Sequence, residues 1–462
     1  MWSTFKTAAL LFVMSAAASL FAAESASVTT YKGKFPDGAK YLIQVPSNWN
    51  GSLVLYSHGY VIPGASNPPE DVGDPITGAY LLSNGYALGG SSYASTGWAV
   101  QQALPDQIKV LDKVQSLVGT PKHTIAWGHS LGGMITAGLV QRYPSRFDAA
   151  LPMCGVVAGS VGVWNQALDS AFAFYELLGQ GSGLQLVNIK NALGNITKAE
   201  KLLSKAQKTP QGRARIALAA ALADVPGWFD PFSKEPAPKN YTAWEKNQYQ
   251  WLLQDDFPFA FYLRAEVEKR AGGNPSWNDG VHYGKELEAS ADLAEVKALY
   301  KKAGLDLETD LDTLESAKRI EAKQESLDYL KENIIYDGEI TIPVLTLHTQ
   351  GDGLAVVENE TAYDNVVHHA GNGDLLRELF VHRAGHCEFT PAETIAAFAA
   401  LTYRLDNGSW PELRSAVLNK SAKDLGAHYN VLLDNGKKVY VGPEYFNFKP
   451  GPFLRPYDGW KH

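Results

Sequence analysis

Over the first third of the chain, short apolar runs alternate with longer stretches of helical spacing. Weak alternation across residues 29–41 predicts leading strands. Ser52–Ser57 (SLVLYS) is an apolar run that stops at His58-Gly59-Tyr60, as a buried strand does on entering a loop. Residues 86–91 (YALGGS), 123–127 (HTIAW) and 147–156 (FDAALPMCGV) read as further short strands. Between them, residues 103–117 and 131–143 carry helical spacing. Strands alternating with helices predict βαβ units and a mainly parallel sheet.

The pattern then changes. Residues 160–339 are mostly helical, with amphipathic runs such as KAEKLLSKAQK and DLAEVKALYKKAG. Breaks fall at DPFSKEPAPKN and AGGNPSWNDG. The βα pattern resumes at Ile340 with ITIPVLTLHTQGD, then helical VENETAYDNVVHHA, strand LRELFVH and helical PAETIAAFAALTYRL. A helical region therefore interrupts one α/β domain. After Gly408 comes a tail whose YNVLLDNGKKVYV signals a hairpin turning at Asn435-Gly436.

Composition narrows the class. The 462 residues exceed what one core usually holds, and 45% hydrophobic with 19% charged residues is a globular balance. The net charge is -8 and no basic block occurs, which argues against a nucleic-acid partner and a polybasic membrane contact. At the N-terminus Lys6 precedes an apolar, uncharged run over residues 8–21, followed by Leu20-Phe21-Ala22-Ala23. This is the pattern of a cleaved export signal spanning 1–23, with a mature start near Ala23 or Glu24 and a secreted or periplasmic destination. The run is too short and alanine-rich for a good membrane span, so no integral span is expected in the mature chain. The two cysteines, Cys154 and Cys387, form no CxxC.

Three glycines surround one serine in Ala126–Met134, AWGHSLGGM. The motif follows one predicted strand and precedes a predicted helix. Gly128-His129-Ser130-Leu131-Gly132 resembles the G-x-S-x-G nucleophile elbow of the α/β-hydrolase superfamily, and GHSLGG is similar to its secreted lipases and esterases. A corner sharp enough to expose the Ser130 hydroxyl leaves no room for side chains two positions away, and glycine removes the collision. The resemblance covers residues 52–156 and 340–405. It implies an α/β-hydrolase fold: a mainly parallel, doubly wound sheet with a large inserted helical cap domain.

The resemblance also implies partners for Ser130, in the order serine, acid, histidine. Asp352 closes the strand IPVLTLHTQ inside GDG and is the candidate acid; an ordinary Asp-Gly turn is the alternative, and Glu358 and Asp374 are the fallbacks. His386, in RAGHCEF between a strand and a helix, is the candidate base; His382 is its rival within the strand run. The backbone amides of Leu131, after the serine, and Tyr60, in the Ser57–Tyr60 loop SHGY, are the candidate oxyanion donors. In secreted feruloyl esterases and tannases a cysteine just before the nucleophile pairs with one just after the histidine. Here Cys387 follows His386, but His129 stands before Ser130. Cys154 ends the strand after the elbow helix instead; by the superfamily's strand order it is the candidate partner of Cys387 in an oxidising compartment, with two buried thiols as the alternative.

Domain limits follow: signal 1–23, hydrolase core 24–158 and 340–408, helical cap 159–339, and a C-terminal extension 409–462. The cap holds many aromatics, Trp164, Trp228, Trp251 and Phe259 among them, most of which a helical core accounts for. The leading expectation is an exported serine carboxylic-ester hydrolase. It would act through an acyl-enzyme on a small-molecule or oligomeric ester, with no metal or organic cofactor implied. The alternative is an exported peptidase or amidase with the same triad, its cap holding a substrate amine through acids such as Asp255, Asp256, Glu266 and Glu268.

Overall fold

The computed structural model of the chain describes residues 27–434 and 436–457. The expected export signal and Asn435 of the hairpin turn lie outside the described residues.

Eleven strands occur among them: β1 (Val28–Lys34), β2 (Lys40–Pro46), β3 (Ser52–Ser57), β4 (Ala87–Ser91), β5 (His123–His129), β6 (Ala149–Met153), β7 (Val344–Gly351), β8 (Leu376–Ala384), β9 (Val431–Asp434), β10 (Lys437–Tyr440) and β11 (Tyr445–Phe446). Nine form one sheet, in the order β1-β2-β4-β3-β5-β6-β7-β8-β11. From β4 to β8 all neighbours run parallel; β1, β2 and β11 add antiparallel edges. The parallel strands are buried on both faces, which is why they read as continuous apolar runs rather than as alternation.

Consecutive residues still serve opposite faces. Leu53 and Leu55 pack with Leu104, Met134 and Ile135, whereas Val54 and Tyr56 pack with Leu81, Phe398 and Leu401. The first group carries the helices Val100–Val118 and Leu131–Arg142, and the second the helices Pro75–Ser83 and Pro391–Asn407. The sheet is thus wound on both sides.

Between β6 and β7 the described chain is helix and loop only. This stretch has an apolar cluster of its own, built on Phe172, Phe174, Ile216, Leu218, Phe257 and Phe261. Its helix Arg264–Ala271 grips the Val100–Val118 helix and the loop before it: Glu266 accepts the Trp98 amide at 3.1 Å and Arg270 donates to Gln102 at 3.0 Å. The tail is more than a hairpin. β9 and β10 pair as expected, with Gly436 at φ +79°, but a helix follows Arg414 and β11 then joins the edge of the main sheet beside β8. Two residues are too short a strand to leave a pattern in sequence.

Candidate active site

The elbow between β5 and the helix Leu131–Arg142 places Ser130 at φ +58°, ψ -125°, a conformation L-residues seldom hold. Its amide donates to Met153 of β6 at 3.0 Å, and its carbonyl accepts the Met134 amide at 3.1 Å. The corner allows no side chain two positions to either side of it. A Cβ at Gly128 would come within 2.5 Å of the Ser57 and Gly132 carbonyl oxygens, and one at Gly132 would overlap the Ser57 carbonyl oxygen. His129, between them, is half-buried. Its Nδ1 lies 3.2 Å from the Tyr56 hydroxyl, and burial, with the nearby His386, lowers its pKa to about 4. It sits there neutral.

Asp352 follows β7 and His386 follows β8, neighbouring strands that bring the two loops together. His386 Nδ1 lies 2.7 Å from Asp352 Oδ2, while Asp352 Oδ1 accepts the amides of Leu354 and Ala355 at 3.0 Å each. Burial alone would raise the Asp352 carboxyl. The charge of His386 and the hydrogen bonds of His348 and His386 outweigh it and bring the carboxyl down to about 2. Asp352 is therefore a fixed anion at any working pH. Neither fallback acid meets His386: Glu358 begins the helix Glu358–His369, and Asp374 lies in a short turn before β8. His382 instead faces Glu235 at 3.0 Å.

Ser130 and His386 line one cavity of about 460 Å³, with Tyr60, Leu131 and Gly59 beside them. A Cβ on Gly59 would touch the Ser130 Cβ at 3.4 Å, so the backbone of this loop lies directly against the serine. His386 Nε2 lies 3.5 Å from Cys387 Sγ. No hydrogen bond joins Ser130 Oγ to His386 among the described residues; such contacts often tighten only when substrate is bound. Trp98, Trp164 and Phe259 supply the cavity's aromatic wall. None of its lining residues is a lysine or arginine, while Asp255 and Asp256 of the helical stretch both reach it.

The comparisons with known proteins bear on this arrangement. The prolyl oligopeptidase family model matches residues 89–201, which include the elbow. An o-phthalyl amidase of Xanthobacter agilis is 31% identical over 446 residues, covering 89% of this chain and 95% of the amidase. The chain is a serine hydrolase of the α/β-hydrolase superfamily. Among solved structures, this hydrolase is similar to an esterase from Aspergillus oryzae at 16% identity and a TM-score of 0.43, covering 83% of this chain and 81% of the esterase. It is also similar to feruloyl esterase B from Aspergillus oryzae, at 14% identity and a TM-score of 0.40, covering 94% of this chain and 89% of the other.

The two cysteines of the hydrolase are joined. Cys154, just past β6, and Cys387, beside His386, have Cα atoms 5.3 Å apart and form a disulfide across 233 residues. The bridge ties the histidine loop to the strand that also receives the Ser130 amide. For a loop of this length the chain-entropy model gives about 5 kcal/mol. Thiol titration of the unfolded, unreduced protein should find no free thiol. Cys154→Ser with Cys387→Ser should unfold several degrees lower in a thermal scan; an unchanged Tm would mean the bridge adds nothing.

Of the four acids weighed for a substrate amine, only Asp255 and Asp256 reach the cavity. Glu266 is taken up by Trp98 and Arg270, and Glu268 accepts the amides of Asn188 and Ile189 at 2.6 and 2.9 Å. Burial raises Asp255 to about 6 and Asp256 to about 7; Ser170 hydrogen-bonds the latter. Sequence reasoning passed over His348, in the middle of β7. It is fully buried, with Nδ1 2.7 Å from Glu360 and Nε2 2.7 Å from the Ala355 carbonyl. The available signal was its spacing: four residues before Asp352 along an extended strand, it projects to the same side.

Proposed function

We propose that this hydrolase cleaves carboxylic amides of aromatic acids, and esters of the same acids, through an acyl group carried on Ser130. The observation that carries the reading is one aromatic-walled cavity holding both Ser130 and an imidazole fixed by Asp352. The amidase relative supports amides. Esters follow because an alcohol leaves more readily than an amine, so machinery that expels an amine also expels an alkoxide.

In this reading Ser130 Oγ attacks the acyl carbon and His386 Nε2 takes its proton. The same proton passes to the leaving nitrogen or oxygen. Asp352 holds the ring and its charge, and the Tyr60 and Leu131 amides hold the oxyanion at the N-terminus of the elbow helix. Water, activated by His386, then releases the acid. The helical stretch between β6 and β7 acts as the cap, supplying Trp164, Phe259 and both cavity acids. Export to a secreted or periplasmic location belongs to the same reading; the disulfide, which forms in oxidising compartments, supports it.

The experiment compares anilides and phenyl esters of benzoic acid, with Ser130→Ala as blank. Turnover of both is expected. Hydrolysis of the esters alone would remove the amide reading.

The cavity's charge sets a further expectation. As pH rises through about 6 and about 7, Asp255 and Asp256 become anions, and no lysine or arginine lines the cavity against them. The wild-type kcat/KM for 2-carboxybenzoyl relative to benzoyl substrates should therefore fall between about pH 5 and pH 8. Asp255→Asn should raise that ratio about tenfold at the upper pH, from the lost repulsion of one near charge. A ratio that neither pH nor the substitution moves would place the acyl group away from Asp255.

A further inference from the structure

Behind Asp352 lies a group that the triad reading does not use. His348 and Glu360 are both 0% exposed. The Ala355 carbonyl only accepts hydrogen bonds, so His348 Nε2, 2.7 Å away, carries a hydrogen. On the other side of the ring, Nδ1 meets Glu360 Oε1 at 2.7 Å. The Nε2 edge also lies 3.5 Å from Asp352 Oδ2, the oxygen that faces His386 Nδ1. Four ionisable groups therefore stand in line: Glu360, His348, Asp352 and His386.

The charges around His348 come from three elements. Asp352 lies on the loop after β7, Glu360 and Glu358 on the helix Glu358–His369, and Glu378 on β8. Burial raises Glu378 to about 9, with Glu360 adding to the effect, and burial raises Glu358 to about 8. At neutral pH both are uncharged, which leaves Asp352 and Glu360 as the anions facing the ring. Burial disfavours a charged imidazole, but the hydrogen bonds to Asp352 and Glu360 outweigh that and raise His348 to about 10.

We propose that His348 and Glu360 form a buried ion pair that positions Asp352 for the reaction, holding it ionised and aimed at His386 while drawing part of its charge away from the base. The proposal rests on the reading of Ser130, Asp352 and His386 given above. Two effects follow. The pair pins the turn at residues 352–355, because His348 holds the Ala355 carbonyl while Asp352 holds the Ala355 amide. It also sets a cation beside Asp352, which offsets part of the charge that Asp352 presents to His386.

Removing that cation should therefore move the acid limb of activity upward. The test measures pH profiles of p-nitrophenyl acetate hydrolysis for the wild type, His348→Gln, and His348→Gln with Glu360→Gln. The double variant avoids a lone buried carboxylate. In both variants the acid limb of kcat/KM should rise by about half a pH unit or more, since the lost charge is close and shielded from water. The kcat should fall about tenfold as Asp352 loses its support, with KM little changed. An acid limb and kcat matching the wild type would overturn the proposal, even if the Tm fell, because a merely structural role moves only the Tm.

Labelling by diisopropyl fluorophosphate separates this failure from that of the underlying reading. If Ser130 takes no label and Ser130→Ala stays active, both readings fall; if Ser130 is labelled and the profiles do not move, only the His348 proposal falls. Should neither variant fold, the wild type still decides. Its 15N-histidine spectrum should keep one ring protonated on both nitrogens at about pH 8, where ordinary histidines are neutral. Loss of that signal by pH 8 would overturn the proposal.

Discussion

Ser130→Ala should turn over at least about 10³-fold more slowly than the wild type, on amides and esters alike. The expectation comes from what Ser130 does and does not do in the fold. Its backbone makes the corner, through the bonds from its amide to Met153 and to its carbonyl from Met134. Its side chain caps nothing: no amide of the helix that starts at Leu131 donates to Oγ. Deleting the hydroxyl therefore removes the proposed nucleophile without removing a structural contact, and the thermal unfolding curve should stay where it was. Residual catalysis would come from the oxyanion site and substrate binding. A variant that kept a tenth of wild-type turnover on its best substrate would take Ser130 out of the reaction.

Asp352→Asn should lower kcat by roughly 10³–10⁴-fold and leave KM nearly unchanged. Oδ1 accepts two backbone amides, a place only an oxygen can fill. The asparagine NH₂ must then point at His386 Nδ1. It donates where the carboxylate accepted, and the ring is driven to carry its hydrogen on Nε2, where it cannot take the serine proton. The substitution also has a signature in stability. A carboxyl held at about 2 rather than its ordinary 3.8 stabilises the fold fully above that ordinary value, and the gain is lost as pH falls through about 2. The Tm gap between wild type and variant should therefore be widest near neutrality and narrow below about pH 3. If Glu358→Gln or Asp374→Asn proved the inactive variant instead, the order of strands around the site would have been misread.

Much of this was legible from apolar runs and glycines. β3 stands where SLVLYS predicts it, and β5 runs two residues past the expected Trp127 to meet the elbow. Both are buried parallel strands, whose every position must be apolar or small, so their ends show as abrupt changes in character. The elbow showed because a steric demand at Gly128 and Gly132 admits a single residue type. Asp352 and His386 showed because each ends a strand run in a glycine-flanked loop. What stayed hidden depends on contacts distant in sequence. Nothing local distinguishes Asp255, which reaches the cavity, from Glu268, which is spent on two backbone amides. His348 reads as one of several polar residues in β7, and its meaning lies in Glu360, on the helix that follows. The helix after Arg414 and the two residues of β11 lacked any pattern long enough to register.

β6 and β7 are neighbours in the sheet, although the whole helical stretch separates them along the chain. During folding, the half that carries Ser130 cannot pair with the half that carries Asp352 and His386 until that loop closes. Pairings so remote in sequence are slow to form. The helical stretch shortens the search, because its own apolar cluster collapses from contacts nearer in sequence and draws β7 towards β6. The elbow needs only β3, β5, β6 and its helix, so it can be complete before His386 stands opposite. On this topology the loop of Ser130 is folded early, His386 is delivered late, and the assembled site is the last feature the chain acquires.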